Sequence, residues 1–332
     1  MKAIGIFPAS GGLGESTFHR LLPHYNPDEQ GKIVLISRHP DKLNVQLGEA
    51  EPFVEVEKRQ ASYESSPSDL EAAFAGVGVL FLISYPSHVC DYRVKVQLPT
   101  IDAAHRAGVQ YIVYSSLAFA GDTLSDTSLA EVMQAHLATE RHLRQLAASD
   151  ASFSYTVLRM GLYSESTPIY TAFFDPKQAR QQSPDTIEIL IPHDGTGPGI
   201  AWAKRDELGE ATGWFLFAYA YREPAAGEAF PFRNETVLLS GPTVWSLEET
   251  VRVLGEIAGR EVRIRQVQMD EYVALPRVQD VFRSEEKART WATAWDAIRA
   301  GETAVGGARS KLGDILGREP EEFDVTARRY WA

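Results

Sequence analysis

The chain has 332 residues, of which 44% are hydrophobic and 23% are charged, and its formal net charge is −12. So acidic a surface argues against nucleic acid or an anionic membrane as a partner, because contacts with phosphates require basic side chains. The single cysteine, Cys90, excludes an intramolecular disulfide, and the first apolar run is too short for a signal peptide or a membrane span. We therefore expect a cytoplasmic globular protein.

A glycine-rich turn follows the first predicted strand. Residues 4–7 form a short apolar strand, and residues 15–22 have the pattern of an amphipathic helix. Glycines between them would let the backbone approach a pyrophosphate, which the free amides of the helix N-terminus would face. The candidate cofactor contacts of this turn are Ser10, Gly11, Gly12, Leu13 and Gly14. Pro8 stands at the first position of the glycine pattern, and a purely structural turn is the alternative interpretation.

Basic side chains follow the second predicted strand, residues 32–36. In a nucleotide-binding βαβ unit this position meets the adenosine ribose, where a carboxylate selects the 2′-hydroxyl and an arginine accepts a 2′-phosphate. Arg38 stands there, and Lys42 follows about one helical turn later. These two residues favour NADP(H) over NAD(H), and a solvated basic turn is the alternative.

Strands and helices alternate through about residue 160. Further strands are predicted over residues 52–56, 77–83, 110–114 and 155–159, with helices that include 68–74, 103–108 and 129–147. This alternation predicts an α/β fold with a doubly wound parallel sheet, the Rossmann arrangement, in which ligands bind beyond the carboxyl ends of the strands.

The second half of the chain has a looser pattern. Two apolar segments, residues 187–191 and 236–239, are expected to extend the same sheet. About the last 90 residues alternate strand and helix patterns, which predicts a smaller C-terminal α/β cap domain. We expect residues 1–160 to form the NADP(H)-binding Rossmann domain and residues 161–332 to form mainly the substrate and cap region.

Polar side chains stand at the predicted carboxyl ends of three strands: Ser84, Tyr85, Ser115, Ser116 and Tyr163. We interpret Ser84 and Ser115 as cofactor contacts, and Tyr85, Ser116 and Tyr163 as candidates for catalysis or substrate contact, although serines at strand ends also cap turns. An aromatic segment, residues 168–174, either walls an apolar pocket or covers the sheet. No histidine or carboxylate pair has metal-ligand spacing, so we predict no metal.

The predicted helix over residues 129–147 places Val132, Met133, His136, Glu140 and Leu143 on one face. His136 is therefore expected to point inward, with Glu140 one turn away as a candidate partner. Three roles are open for His136: a core histidine that orients the nicotinamide side, a proton donor, or a ribose contact.

The chain resembles the NmrA-like atypical short-chain dehydrogenase/reductases, in the branch of quinone oxidoreductase and triphenylmethane reductase. The resemblance is densest over residues 9–14, 37–42, 59–63, 136–140 and 155–165, and it extends to 245–247 and 312–317. It implies binding of NADP(H). Some family members reduce quinones or related electron-poor conjugated compounds, whereas others are redox-sensing regulators.

Three departures from the family pattern bear on the chemistry. Pro8 replaces the first glycine, and Ser62 stands where related sequences have an aspartate near the adenine. Val132 and His136 occupy the positions of the tyrosine and lysine with which typical short-chain dehydrogenases protonate an alkoxide. Alcohol–ketone interconversion by that route is therefore not expected.

Quinone reduction makes a smaller demand, because hydride transfer to a quinone or an enone gives a delocalised anion and placement over the nicotinamide matters more than a strong acid. The sequence thus predicts an NADPH-dependent oxidoreductase acting on an aromatic or conjugated carbonyl small molecule. The alternatives are an NADP(H)-binding sensor with a protein partner and no catalysis, and a non-redox pathway enzyme on the same fold. An apolar pocket at residues 163–174 would favour a small-molecule substrate over a sensor.

Overall fold

The computed structural model describes residues 3–50, 52–87, 89–121, 124–181, 186–221 and 230–331. The strands of these ranges are β1 (Ala3–Phe7), β2 (Gly31–Ser37), β3 (Val54–Gln60), β4 (Val77–Ile83), β5 (Tyr111–Leu117), β6 (Ser154–Met160), β7 (Thr186–Ile191), β8 (Glu235–Leu239) and β9 (Glu261–Gln266). The helices are α1 (Gly12–Leu21), α2 (Pro67–Phe74), α3 (Cys90–Arg106), α4 (Glu131–Ser149), α5 (Thr167–Tyr170), α6 (Pro176–Ala179), α7 (Arg205–Tyr221), α8 (Leu247–Ala258), α9 (Met269–Val273), α10 (Pro276–Phe282), α11 (Glu285–Arg299), α12 (Leu312–Leu316) and α13 (Phe323–Trp331). None of the helices in these ranges is long and apolar enough to cross a membrane.

One parallel sheet of seven strands has the order β3-β2-β1-β4-β5-β6-β8. Every neighbouring pair in it is parallel, so the carboxyl ends of all the strands lie along one edge. The strand order reverses between β1 and β4, and a crevice at such a switch point is where ligands bind in open α/β sheets. The predicted α/β fold with a doubly wound parallel sheet is confirmed.

One predicted strand lies elsewhere. We expected residues 187–191 to extend the main sheet, and this is wrong, because β7 pairs with β9 in a separate two-stranded parallel sheet. Ile189 and Ile191 of β7 are buried in the cluster formed with the C-terminal helices, whereas Glu188 is exposed. The strands of the central sheet are apolar on both faces because helices cover both, whereas β7 is apolar mainly on one face and can pair outside that sheet. The segment 236–239 does extend that sheet, because β8 pairs with β6.

Apolar side chains cover both faces of the main sheet. On one face, Ile6 and Val79 pack in the same cluster as Phe18 of α1 and Phe215 of α7. On the other face, a second cluster joins alternate strand residues such as Leu80 to side chains of α2, α3 and α4. Because the central strands are buried on both faces, the edge formed by their carboxyl ends is where polar side chains can meet a ligand.

The glycine turn connects β1 to α1, and its glycines serve different purposes. Gly11 has φ +105°, a conformation that other residues rarely adopt, and a Cβ there would face open space. Gly14 is buried, and a Cβ there would lie 2.8 Å from the carbonyl oxygen of Ala9 and 2.9 Å from that of Pro8. Gly14 therefore allows the close packing of α1 against the turn.

Replacing Gly14 should destabilise the protein, since the new Cβ would meet backbone oxygens that cannot move aside freely. We expect Gly14→Ala to lower the free energy of unfolding by about 1–3 kcal/mol, the usual range for overpacking. Gly12→Ala is the matched control, because the atoms nearest to a Cβ at Gly12 belong to the end of the flexible Arg205 side chain. Urea unfolding without added ligand measures both variants, and an equal loss in the two would contradict this account of Gly14.

Candidate functional site

A cavity of about 350 Å³ lies at the carboxyl ends of β4, β5 and β6. It brings together His136 of α4 and all the polar residues predicted at the strand ends: Ser84, Tyr85, Ser115, Ser116 and Tyr163. Ile169 and Tyr170 of α5 and Trp291 of α11 form an apolar part of its wall. The aromatic segment that we expected to wall a pocket or to cover the sheet thus contributes to the wall of this cavity.

A larger cleft of about 850 Å³ lies between α8 and β9. Several of its charged side chains are already engaged with one another or with a nearby helix. Glu256 pairs with Arg252 and Arg328, and Arg263 pairs with Glu261. The smaller cavity at the strand ends is the better candidate, because several of its polar groups converge there from three neighbouring strands and α4.

His136 lies between two polar neighbours inside the protein. Its Nε2 is 2.7 Å from Nη2 of Arg93, and its Nδ1 is 3.0 Å from the hydroxyl of Tyr114. A guanidinium only donates, so Nε2 must accept and Nδ1 must carry the proton, a tautomer assigned from this network. Burial, with the charges of Arg93 and Arg159, holds the pKa of His136 well below its ordinary value. The ring is therefore neutral, and it has no proton on the nitrogen that faces Arg93.

The expected pairing of His136 with Glu140 is wrong, because Glu140 is engaged elsewhere. Oε2 of Glu140 accepts from Nη2 of Arg159 at 2.6 Å, and its Oε1 accepts from Nε of Arg159 at 3.0 Å. Ser116 donates its hydroxyl proton to the same Oε1 at 2.5 Å. Toward the cavity Ser116 can therefore only accept a hydrogen bond.

The two tyrosines of the cavity differ in their hydroxyl groups. Tyr85 donates to Oε1 of Glu64 at 2.6 Å, and this hydrogen bond, with burial, raises the pKa of Tyr85. The hydroxyl of Tyr163 has no hydrogen-bond partner within the described ranges, and burial raises its pKa to about 12. The guanidinium of Arg205 lies 5.9 Å from the centre of the Tyr163 ring. Tyr163 thus keeps a protonated hydroxyl that is free for a ligand.

The serines of the cavity are joined by hydrogen bonds. The backbone amide of Ser84 donates to Oγ of Ser115 at 2.9 Å, and Oγ of Ser84 donates to Oε1 of Gln97 at 3.0 Å. Ser84 also accepts from Nη2 of Arg93. The proton of the Ser84 hydroxyl is therefore committed to Gln97, whereas Ser115 uses only its oxygen and keeps a proton to donate.

A second cavity, of about 750 Å³, lies at the carboxyl ends of β2 and β3 and is lined in part by Arg38, Gln60 and Ser62. The exposed side chains of Arg38 and of nearby Lys42 form no hydrogen bond or ion pair with the residues that the structure describes. Both cations are thus available to an anionic ligand.

The glycine turn lies between the two cavities. Its Ser10, Gly11 and Gly12 are exposed, whereas Leu13 and Gly14 are buried. Because the neighbouring strands in this region are β2, β1 and β4, the basic cavity, the turn and the aromatic cavity follow one another along the same sheet edge.

Four residues of these sites were missed from the sequence: Arg93, Gln97, Tyr114 and Arg205. Arg93 and Gln97 are buried on one face of α3, and their helical spacing is a signal that could have revealed them. The guanidinium of Arg205 lies against Gly12. No local sequence pattern predicts the contact between Arg205 and Gly12, because the two residues are far apart in the chain.

Comparisons with known proteins agree with this architecture. The model of the NmrA-like family matches residues 1–284. An NmrA-like family domain-containing oxidoreductase of Aspergillus flavus is 31% identical over 265 residues, which are 79% of this chain and 76% of that protein. Quinone oxidoreductase 2 of Escherichia coli is 28% identical over 272 residues, which are 82% of this chain and 80% of that protein.

The crystal structure of a Citrobacter sp. triphenylmethane reductase complexed with NADP(H) has the same fold. It superposes with a TM-score of 0.72 at 24% sequence identity and covers 99% of this chain and 100% of its own. The family resemblance expected from the sequence motifs is confirmed.

The neutral state of His136 has a consequence for stability. An unfolded chain protonates this histidine near its ordinary pKa of about 6.5, whereas the folded chain does so only at lower pH, so the free energy of unfolding should fall as the pH drops below about 6.5. We expect the contribution of His136 to reach up to about 1.4 kcal/mol per pH unit.

His136→Gln should remove this contribution, since glutamine can still accept from Arg93 but does not titrate. Urea unfolding of both proteins between about pH 5 and pH 7.5 measures the difference. Burial also lowers the pKa of His193, but His193 is present in both proteins and cancels in the comparison. Parallel pH profiles of the two proteins would show that His136 is not held neutral by the fold.

Proposed function

The chain belongs to the NmrA-like family, and we propose that it is an NADPH-dependent oxidoreductase that reduces a quinone-like or conjugated carbonyl compound. The observation that carries the proposal is the succession of three features along one sheet edge: free cations, an exposed glycine turn and an aromatic-walled cavity. Extended NADP(H) has its 2′-phosphate, its pyrophosphate and its nicotinamide in the same succession.

The residues at the first two features fit NADP(H). Arg38 and Lys42 would hold the 2′-phosphate, for which an arginine provides parallel charge-assisted hydrogen bonds. Gly11 faces open space, so its backbone can be approached closely, and Arg205 adds a cation beside Gly12. NADPH supplies a hydride when it is bound. The NADP(H) complex of the triphenylmethane reductase supports this choice of cofactor.

The state of the cavity hydroxyls favours an activated acceptor. The Ser116 hydroxyl donates its hydrogen bond to Glu140, and the Tyr85 hydroxyl donates its hydrogen bond to Glu64. His136 has no proton on the nitrogen that faces Arg93. Of the predicted residues, Ser115 and Tyr163 keep protons, and both are weak acids. A site without a strong acid suits quinones and enones, since their reduction yields a stabilised anion, and it suits simple ketones poorly.

The shape of the site also bears on the alternative of a sensor without catalysis. Residues 163–170 are buried or half-buried, and several of them form the wall of the cavity with Trp291. A flat, exposed surface at this segment would have suited a protein partner. We therefore favour a small-molecule substrate.

Cofactor discrimination should depend on Arg38. Charge-assisted hydrogen bonds to the 2′-phosphate should make NADPH bind more tightly than NADH by about 1.5–3 kcal/mol. Arg38→Ala should remove most of that preference and leave the affinity for NADH unchanged. Titration followed by nicotinamide fluorescence measures both cofactors, with Lys58→Ala as a control at a basic residue of β3 that instead donates to the carbonyl of Leu43. Equal binding of NADH and NADPH to the unmodified protein would refute the assignment.

Substrate preference should follow the stability of the anion that hydride transfer produces. We expect simple quinones and enones to oxidise NADPH in the presence of the protein, and unactivated ketones to leave it intact. The loss of NADPH absorbance against a panel of these compounds measures the preference. Tight NADPH binding without turnover of any compound would favour the sensor or the non-redox enzyme.

A further inference from the structure

Two arginines are buried beside the aromatic-walled cavity, and they differ in their partners. Arg159 is 1% exposed and forms a two-point ion pair with Glu140. Arg93 is 3% exposed, and its guanidinium donates to Oγ of Ser84, to the carbonyl oxygen of Val132 at 3.1 Å and to Nε2 of His136 at 2.7 Å. All three of these acceptors are neutral. No carboxylate within the described ranges forms an ion pair with Arg93.

An uncompensated buried charge is unfavourable by several kcal/mol, so proteins rarely keep one without a use for it. Arginine does not escape this penalty by losing its proton, because guanidinium stays charged in proteins. Nε of Arg93 also lacks a hydrogen-bond partner among the residues that the structure describes. The cavity wall therefore contains a permanent positive charge whose counter-ion the described part of the chain does not supply.

The neutral partners hold this charge in place. His136 is kept neutral, and its Nε2 can only accept. Ser84 donates to Gln97, which lies on α3 together with Arg93. Gln97 in turn donates to Oγ1 of Thr139 at 2.9 Å. Arg93 is thus held between α3, α4 and the end of β4, with little freedom to reach a distant carboxylate.

We propose that Arg93 is a catalytic residue that binds the oxygen of a conjugated carbonyl substrate and stabilises the negative charge that hydride transfer places on it. This inference rests on the proposed reductase function. The carbon–hydrogen bond of the reduced nicotinamide breaks, and the hydride forms a new carbon–hydrogen bond with the conjugated system of the substrate. The electron pair of the displaced π bond moves onto the substrate oxygen, and a proton from water completes the reduction.

Arg93 and Ser115 offer complementary groups to such an oxyanion. Ser115 lines the same cavity and keeps a hydroxyl proton, while its own oxygen accepts from the amide of Ser84. A fixed cation acts more strongly on a charge that develops in the reaction than on a neutral ground state. Loss of Arg93 should therefore affect kcat more than KM.

Binding of 4-nitrophenol tests the charge without any turnover, because its phenolate and phenol forms absorb differently. A cation within ionic reach should lower the apparent pKa of the bound phenol by about 1–3 units, and Arg93→Gln should abolish that shift. Arg93→Lys should retain part of it. The matched control is Arg106→Gln, at an arginine of the same helix that is exposed and paired with Glu71. An unshifted pKa in the wild type, or an equal shift in Arg93→Gln, would overturn the proposal.

Steady-state kinetics then separate catalysis from structure. Arg93→Gln should lower kcat for a quinone or enone by about 10²–10³-fold with a small change in KM, and Arg93→Lys should recover part of the loss. NADPH binding and thermal unfolding of each variant establish that it is folded. A folded Arg93→Gln protein with unchanged kcat would contradict the role of Arg93. A phenolate shift that depends on Arg93, without NADPH oxidation by any compound, would instead contradict the reductase function.

Discussion

Burial of both faces of the central strands is the constraint on which the functional region depends. Because apolar clusters cover β4, β5 and β6 on both sides, their polar side chains gather at the carboxyl ends and must satisfy one another in a small volume. Two linked groups result. Ser116, Glu140 and Arg159 form a network that contains an ion pair, and Ser84, Arg93 and His136 form a network to which the described residues supply no anion.

The glycine turn and the aromatic-walled cavity are linked through the start of α7. The backbone amide of Arg205 donates to the carboxylate of Glu165 at 3.3 Å, and its guanidinium lies against Gly12 and over the ring of Tyr163. Asp206 accepts from Oγ of Ser16 in α1 at 2.7 Å. A ligand at the turn would therefore lie beside the same short segment that supports one wall of the cavity.

The features that the sequence predicts well are those encoded in local patterns. Apolar periodicity identified the strands of the parallel sheet and the inward face of α4, on which Met133, His136, Glu140 and Leu143 are all buried. The partners on that face could not be predicted in the same way. Helical spacing brings Glu140 near His136, but the choice between His136 and Arg159 depends on a side chain from β6. The pairing of β7 with β9 likewise depends on packing against the C-terminal helices.

The position of Arg93 also gives a physical meaning to the missing tyrosine and lysine. The family resemblance aligns Val132 and His136 with the positions of that pair in typical short-chain dehydrogenases, and in this chain both accept hydrogen bonds from Arg93, through the backbone carbonyl of Val132 and Nε2 of His136. A proton donor and its cationic helper are thus replaced by one permanently charged group held at the same two helical positions. Such a group can stabilise an oxyanion but cannot protonate it. It therefore suits acceptors whose reduced form persists as an anion until water supplies the proton, which is the property that separates quinones and enones from simple ketones.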